Sequence, residues 1–372
     1  MSAAEEYLLS VAHGRRGLVP ALLRGGLSAL APVYCAGLKT YLLPYRLGLR
    51  KRARLPCPVI SIGNLTTGGT GKTPMTQTLC RLLRERGLHV AVLSRGYGGR
   101  HEYGCAVVSD GQKTRLSAEE AGDEAYLLAK TLSGVPVVVG KDRRVTGALA
   151  WAQFQPDVLL LDDGLQFWQL HRDLDIVLLN ACAPFDNGWT FPRGLLREPP
   201  SHLRRAGIVV LTNGKRAGPQ QTQAVRDIAQ RLAPGRPLFT ADLEPVGLRA
   251  IAMRAEYPVC WLEGRRVSAL SAVGNPDSFE TRITESGGVL ATRFRFRDHH
   301  AITLADLERV ISESCAAGAE AVITTEKDAV KIAPLKSSLP LLALKVTMQV
   351  DGEAAFLAAV QEAIQHDGSH HA

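Results

Sequence analysis

The chain has no C-x-x-C pair, and its seven cysteines, Cys35, Cys57, Cys80, Cys105, Cys182, Cys260 and Cys315, stand singly. That spacing argues against a zinc ribbon or a disulfide framework and for a reducing compartment. Aromatic residues make up only 6%. None of them forms a stripe interleaved with arginine and lysine, so the surface that stacks nucleobases is lacking and no nucleic-acid partner is expected. No internal repeat or low-complexity tract interrupts the 372 residues, which are enough for two domains with substantial cores. Nor does a clean apolar core precede a small-residue cleavage site, the mark of a secretory signal peptide.

Cations outnumber anions, 44 to 36, for a net charge of +8. The excess implies an anionic partner, and its position narrows the choice. Arg46, Arg50, Lys51, Arg52 and Arg54 follow an apolar stretch, roughly 17–49, with GLSALAPVYCAGL between Arg24 and Lys39. The stretch reads as too short and too interrupted for a transmembrane helix. Its apolar body, with Tyr34, Tyr41 and Tyr45 at interface depth and basic residues for anionic headgroups, predicts a helix lying on or dipping into a membrane surface. The competing reading is a helix packed on the protein's own core.

The strongest positive signal is PVISIGNLTTGGTGKTP at 58–74. Four apolar residues end in a glycine-rich run closed by Lys72 and Thr73, and TPMTQTLCRLLRERG follows as a helix stopped by Gly87. This is a strand feeding a loop that cradles phosphates. Gly68, Gly69 and Gly71 let the backbone amides turn inward, Lys72 reaches the β and γ phosphates, and the Thr73 hydroxyl can hold Mg²⁺. Thr66, Thr67 and Thr70 complete the ATP-binding run. Thr66 stands where the usual pattern opens with glycine.

Downstream, apolar runs at 89–94, 105–109, 135–139, 157–161, 175–179 and 207–211 alternate with helical stretches near 118–133, 142–154 and 219–233. Runs apolar on both faces predict an α/β fold, a P-loop NTPase-like, doubly wound and mainly parallel sheet with ligands at the carboxyl ends of its strands. APGRPLFTADLEPVG at 233–247 reads as a link to a second, smaller α/β domain. There Asn275 and Pro276 start a helix that Gly287 and Gly288 stop, Thr303 caps another, and 321–325 forms a strand. The expected division is 1–50 for the membrane-associating segment, 51–240 for the nucleotide-binding domain and 241–372 for the smaller domain.

Asp162 and Asp163 end the apolar strand DVLLLDD, where a carboxylate is presented to Mg²⁺ or its water shell. In isolation two such aspartates read more readily as turn formers; the phosphate loop upstream in the same sheet reverses that and favours the metal. Asp123 and Glu124 open a helix, where capping accounts for them. The run RDHH at 297–300 lies in a loop, where a carboxylate beside imidazoles can orient a proton acceptor. Arg197 and Glu198 sit in a proline-rich loop, where an arginine can grip a phosphate or merely pair with its neighbour.

Taken in order, SIGNLTTGGTGKTP, SRGYGG (94–99), GDE (122–124), LDDGLQ (161–166), LREP (196–199), VGNP (273–276), DHH (298–300) and TTEKDAVK (324–331) resemble the tetraacyldisaccharide 4'-kinase family over almost the whole chain. The resemblance implies transfer of the γ-phosphate of ATP to the 4'-hydroxyl of an acylated disaccharide lipid in lipid A biosynthesis. It also implies a place at the cytoplasmic face of the inner membrane. Asp123 would match the catalytic aspartate, working with a histidine of the DHH run, His299, to accept the hydroxyl proton. Asp162 and Asp163 would match the acidic pair near the metal. Asn64, Gln166, Arg197 and Glu198 would contact substrate. Two positions depart from the family's pattern. Phe167 stands where it has histidine, which moves any such role elsewhere, His171 being the nearby candidate, and Ala125 replaces a proline.

A rival reading from another class is a membrane-associated P-loop ATPase switch acting on a protein partner. Against it, Thr67 stands where dimerising ATPases of that type carry a second lysine, and no guanine-reading N-K-x-D run is present.

Overall fold

The computed structural model describes residues 3–252, 255–298, 300–332 and 337–368, with the side chains of 3–6, 9 and 366–368 left aside. Two helices open the chain, α1 (Ala3–Ala12) and α2 (Leu18–Arg46). Then come β1 (Val59–Asn64), α3 (Lys72–Glu85), β2 (Val90–Ser94), β3 (Ala106–Asp110), α4 (Ala118–Ala121), α5 (Asp123–Thr131) and β4 (Pro136–Val139). Next are α6 (Arg143–Phe154), β5 (Val158–Asp162), β6 (Leu174–Asn180), β7 (Ile208–Thr212), α7 (Gly214–Ala217) and α8 (Pro219–Leu232). The remainder holds β8 (Leu238–Ala250), β9 (Glu256–Tyr257), β10 (Arg266–Ser271), α9 (Pro276–Glu285), β11 (Val289–Arg295) and α10 (Leu304–Ala316). It closes with β12 (Ala321–Thr325), α11 (Glu326–Ala329), β13 (Leu341–Val350) and α12 (Glu353–Gly368).

One sheet of 13 strands runs β11-β10-β12-β13-β8-β7-β6-β1-β5-β2-β4-β3, with β9 paired to β8. Its pairs are parallel except β3 with β4, β8 with β9, and β8 with β13. Strands β1, β2, β5 and β7 are buried along their whole length, as the unbroken apolar runs require of strands covered by helices on both faces. Helix α3 lays Met75, Leu79, Cys80, Leu82 and Leu83 on Ile60, Ile62 and Leu160; α12 returns to the same cluster with Phe356, Leu357 and Val360.

Three expectations are corrected. The passage 233–247 is no linker: most of it is β8, parallel to β7 and antiparallel to β13. Its Pro245 and Gly247 fall at a register shift opposite Val346 and Lys345, and a bulge is where a strand tolerates a residue that cannot donate to the ladder. The helix near 118–133 is broken at Gly122, whose φ is 83°. A Cβ there would lie 2.7 Å from the Tyr97 carbonyl oxygen, so the glycine of GDE lets the SRGYGG loop cross it. Finally, α2 runs 29 residues through Pro32 and Pro44, and it is long and apolar enough to cross a membrane by length and composition. Buried Ala31, Leu42 and Tyr45 fasten it to the body on both sides of Pro32, which offsets the bond each proline removes. The rest of α2 stands open, with Leu18, Leu22, Val33 and Leu43 all more than half exposed.

Candidate active site

Strand β1 delivers the phosphate loop at its carboxyl end. Gly68 and Gly71 adopt φ of 116° and 87°, the left-handed region open to glycine. The start of the loop is pinned by a segment distant in sequence: Thr67 N–H donates to Leu195 O at 2.8 Å, Arg197 N–H donates to Leu65 O at 2.8 Å, and Thr66 bridges Leu196. Thr66, in the usual glycine position, is buried in that small ladder. Beyond it, α3 begins at Lys72, so Lys72 and Thr73 sit at a helix N-terminus whose exposed amides favour anions.

Around Lys72 a polar network closes. Its Nζ donates to Asn64 Oδ1 at 3.3 Å and lies 3.9 Å from Asp163. Gln166 Nε2 donates to the Asn64 carbonyl at 2.9 Å; Arg197 Nη1 donates to Gln166 Oε1 at 3.2 Å and to both Asp163 oxygens at 2.9 Å. Asn64, Lys72, Asp163, Gln166 and Arg197, spread over 134 positions of sequence, thus meet in one chain of contacts.

The two adjacent aspartates live in opposite surroundings. Asp162 ends β5 beside β1, opposite Ile62. It is buried and accepts hydroxyl bonds from Thr76 at 3.1 Å and Thr73 at 3.4 Å. Burial, with the charges of Glu124 and Asp163 nearby, pushes its carboxyl up to about 7. Asp163 has φ of 52°, a left-handed turn that aspartate tolerates. Burial would raise its carboxyl, but Lys72 and Arg197 hold it below the ordinary value. A buried carboxylate crowded by two others and touched by a loop hydroxyl suits a hard cation. Among the described residues no three acidic or imidazole side chains form a cage. Thr73 and Asp162 could supply two of the oxygen donors that Mg²⁺ needs.

The facing wall is built by α5 and the carboxyl half of the chain. Asp123, the first residue of α5, lies 2.9 Å from Lys331 Nζ. Lys331 is itself 3.6 Å from Asp328, a fully buried carboxylate that accepts from Ala272 N–H at 2.9 Å and Thr325 Oγ1 at 2.8 Å. Lys327 sits between Glu124 at 3.8 Å and Asp298 at 3.4 Å. His299 lies outside the described residues. His300 is stacked on Phe296 and bound to Asp306 at 3.0 Å, in the cap of α10. His171 stands beside Asp173, which binds Val59 N–H at the amino ends of β1 and β6, the edge opposite the phosphate loop.

Glu198 is turned away from the Lys72 network into a buried cluster. Arg205 donates to it at 2.5 and 2.7 Å, and His202 Nδ1 lies at 2.6 Å. Burial alone would raise this carboxyl, but His202 and Arg205 bring it down to about 2. Arg46, at the end of α2, meets His202 Nε2 at 3.0 Å. Since arginine can only donate, Nε2 accepts and Nδ1–H donates to Glu198. Tyr34 of α2 also donates to the Arg197 carbonyl at 2.8 Å, so the apolar helix touches the backbone of this loop directly.

Sequence reasoning assigned no role to Lys327, Lys331 or Arg143. The first two stand in TTEKDAVK, a run whose motif value was visible but whose spatial partner was not. Arg143 opens α6 and is buried, bonded to Gly140 O at 2.6 Å. Burial lowers its guanidinium to about 10 against the opposing charges of Asp163 and Asp162.

Comparison with known proteins shows the family. The profile of a family described as tetraacyldisaccharide-1-P 4'-kinase matches residues 23–365. A tetraacyldisaccharide 4'-kinase of Geobacter metallireducens is 42% identical over 316 residues, 85% of this chain and 90% of that protein. Another, from Geobacter sulfurreducens, is 40% identical over 94% of this chain and 96% of its own length. The crystal structure of LpxK from Aquifex aeolicus in complex with ATP superposes with a TM-score of 0.73 at 31% identity, covering 92% of this chain and 99% of that one.

Proposed function

The chain belongs to the tetraacyldisaccharide-1-P 4'-kinase family, and on that premise we propose that it transfers the γ-phosphate of ATP to the 4'-hydroxyl of a tetraacyldisaccharide 1-phosphate. The observation that carries the reading is the convergence of Lys72, Asn64, Asp163, Gln166 and Arg197 on one side of the phosphate loop, with Asp123 at a helix start on the facing wall.

In this reading the amides and hydroxyls of residues 66–73 bind the triphosphate, and Lys72 neutralises charge on its transferring end. Thr73 and Asp162 would hold Mg²⁺, which would supply positive charge against that of the phosphates. Asp163 has the separate task of orienting Lys72 and Arg197. Asp123 accepts the proton of the attacking hydroxyl, with His299 as its partner, and Lys331 keeps the carboxylate aimed. Little covalent work falls to the protein, so positioning and charge stabilisation dominate the rate. Arg197, Gln166 and Asn64 face the sugar. Glu198 acts behind them, holding the loop through Arg205 and His202.

The exposed apolar face of α2, joined to the loop through Tyr34, supplies a surface for acyl chains and seats the enzyme on the cytoplasmic face of the inner membrane. Functionally we divide the chain into 1–50 as anchor, 51–240 as nucleotide-binding unit and 241–372 as the part that brings Lys327 and Lys331 to Asp123.

The test is transfer from labelled ATP, with Mg²⁺, to purified tetraacylated disaccharide 1-phosphate in detergent, comparing the intact chain with Lys72→Ala. Label on the lipid with the intact chain alone is the expected result. ATP hydrolysis without lipid, and no transfer from a folded, ATP-binding chain, would replace this reading with the ATPase switch.

A further inference from the structure

On the sheet edge opposite the phosphate loop, at the amino ends of β6 and β7, lies a cavity of about 270 Å³ walled by Arg52, Arg172, Arg205 and Arg236 around Trp168. We propose that this cavity binds the phosphodiester of an anionic phospholipid headgroup, a site separate from the one where phosphate is transferred.

Four guanidiniums line the wall against two carboxylates, Asp173 and Asp175. Arg172 is matched by Asp175, with contacts of 2.7 and 3.1 Å, and Arg205 by Glu198. Arg52 and Arg236 have no ion-pair partner among the described residues. The guanidinium of Arg52 stands 5.2 Å from the Trp168 ring centre, that of Arg205 4.6 Å and that of Arg172 6.0 Å. Three cations therefore crowd one indole, with burial and the Arg172 charge lowering Arg52 from its ordinary value. Trp168 is only 7% exposed, and its Nε1–H, like Arg205 Nε–H, finds no acceptor among the described residues. Orphaned donors beside unpaired guanidiniums make a place short of an anion, and the planar fork of arginine fits phosphate oxygens in pairs.

The position selects a lipid as the source. Leu42 and Tyr45, in the last turns of α2, pack directly on Trp168, and Arg52 follows the end of that helix by six residues. Leu43, Leu47 and Leu49 beside it are more than half exposed. The cavity thus opens where an exposed apolar helix gives way to a basic segment, the depth at which anionic headgroups lie.

The experiment compares binding of the full chain to phosphatidylcholine vesicles with and without phosphatidylglycerol, and needs no kinase activity. Substituting lysine keeps charge but removes the fork. Arg52→Lys and the exposed Arg236→Lys should each lower the phosphatidylglycerol-dependent affinity about fivefold, the worth of one well-placed hydrogen bond, with melting temperature unchanged. Arg54→Lys, outside the cavity, should lose nothing. Equal binding by all three variants and the intact chain would mean diffuse surface charge and overturn the site. Inorganic phosphate at matched ionic strength should leave the preference standing. If phosphate is bound without vesicles and abolishes the preference, the cavity takes free phosphate and the lipid assignment falls.

Discussion

The two walls of the candidate site are held together by different means. The phosphate-loop wall is a continuous network in which backbone amides, a carboxamide pair and the Arg197 Nη1 shared between both Asp163 oxygens fix Lys72, Asp163 and Gln166. The Asp123 wall rests on ion pairs, Lys331 with Asp123 and Lys327 with Glu124 and Asp298, contributed by a segment some 200 residues further along the chain. A continuous network anchored on backbone amides and buried strand ends is preorganised. Pairs of long side chains across an interface depend on how the two parts approach. On the proposed roles, the comparison predicts that nucleotide binding and hydroxyl activation can be lost separately, because the two walls are built from different parts of the chain.

Substitutions can break or sharpen that contrast. The largest loss is expected from Lys72→Ala, which removes the central cation of the first wall: turnover should fall about a thousandfold, as loss of a transition-state donor does, in the labelled-ATP assay. Asp123→Asn, on the second wall, should lower kcat on the order of a hundredfold while calorimetry finds ATP affinity within about twofold. A matching collapse of ATP binding would erase the distinction between the walls. Lys331→Met should cost about tenfold in kcat, with ATP affinity again kept and Lys331→Arg restoring most of the rate. An unchanged rate would make the ion pair merely structural.

The smallest effect on chemistry belongs to Glu198→Gln, which acts on stability. The carboxyl falls from an ordinary 4.5 to about 2 on folding, so its contribution is complete above pH 4.5 and is lost as the pH falls toward 2. Denaturant unfolding at pH 7 should show the variant less stable by roughly 3 kcal/mol, a gap that narrows below pH 4.5.

Much of the first wall was legible because it is written in consecutive residues. Asn64 through Thr73 is strand, turn and helix start in one run, and Asp162 closes an apolar strand. Less legible was why Thr66 can replace glycine: it is buried against Leu196, a partner 130 positions away. The length of α2 was misjudged because the apolar run between Arg24 and Lys39 reads as short and interrupted, whereas burial of Ala31 and Leu42 holds one helix through Pro32 and Pro44. The strand at 238–250 was hidden by Pro245 and Gly247, residues that local propensity assigns to turns and that a bulge accommodates.

By itself the sequence determined the parallel core, the phosphate loop and the apolar helix with its basic flank, since each follows from spacing along the chain. Tertiary structure alone decided that Asp162 faces Thr73 while Asp163 faces Arg197, that Glu198 is spent on Arg205, and that Lys331 stands against Asp123. The physical reason is that a side chain's charge and direction depend on what is folded against it, and those neighbours come from strands and loops that no local pattern connects.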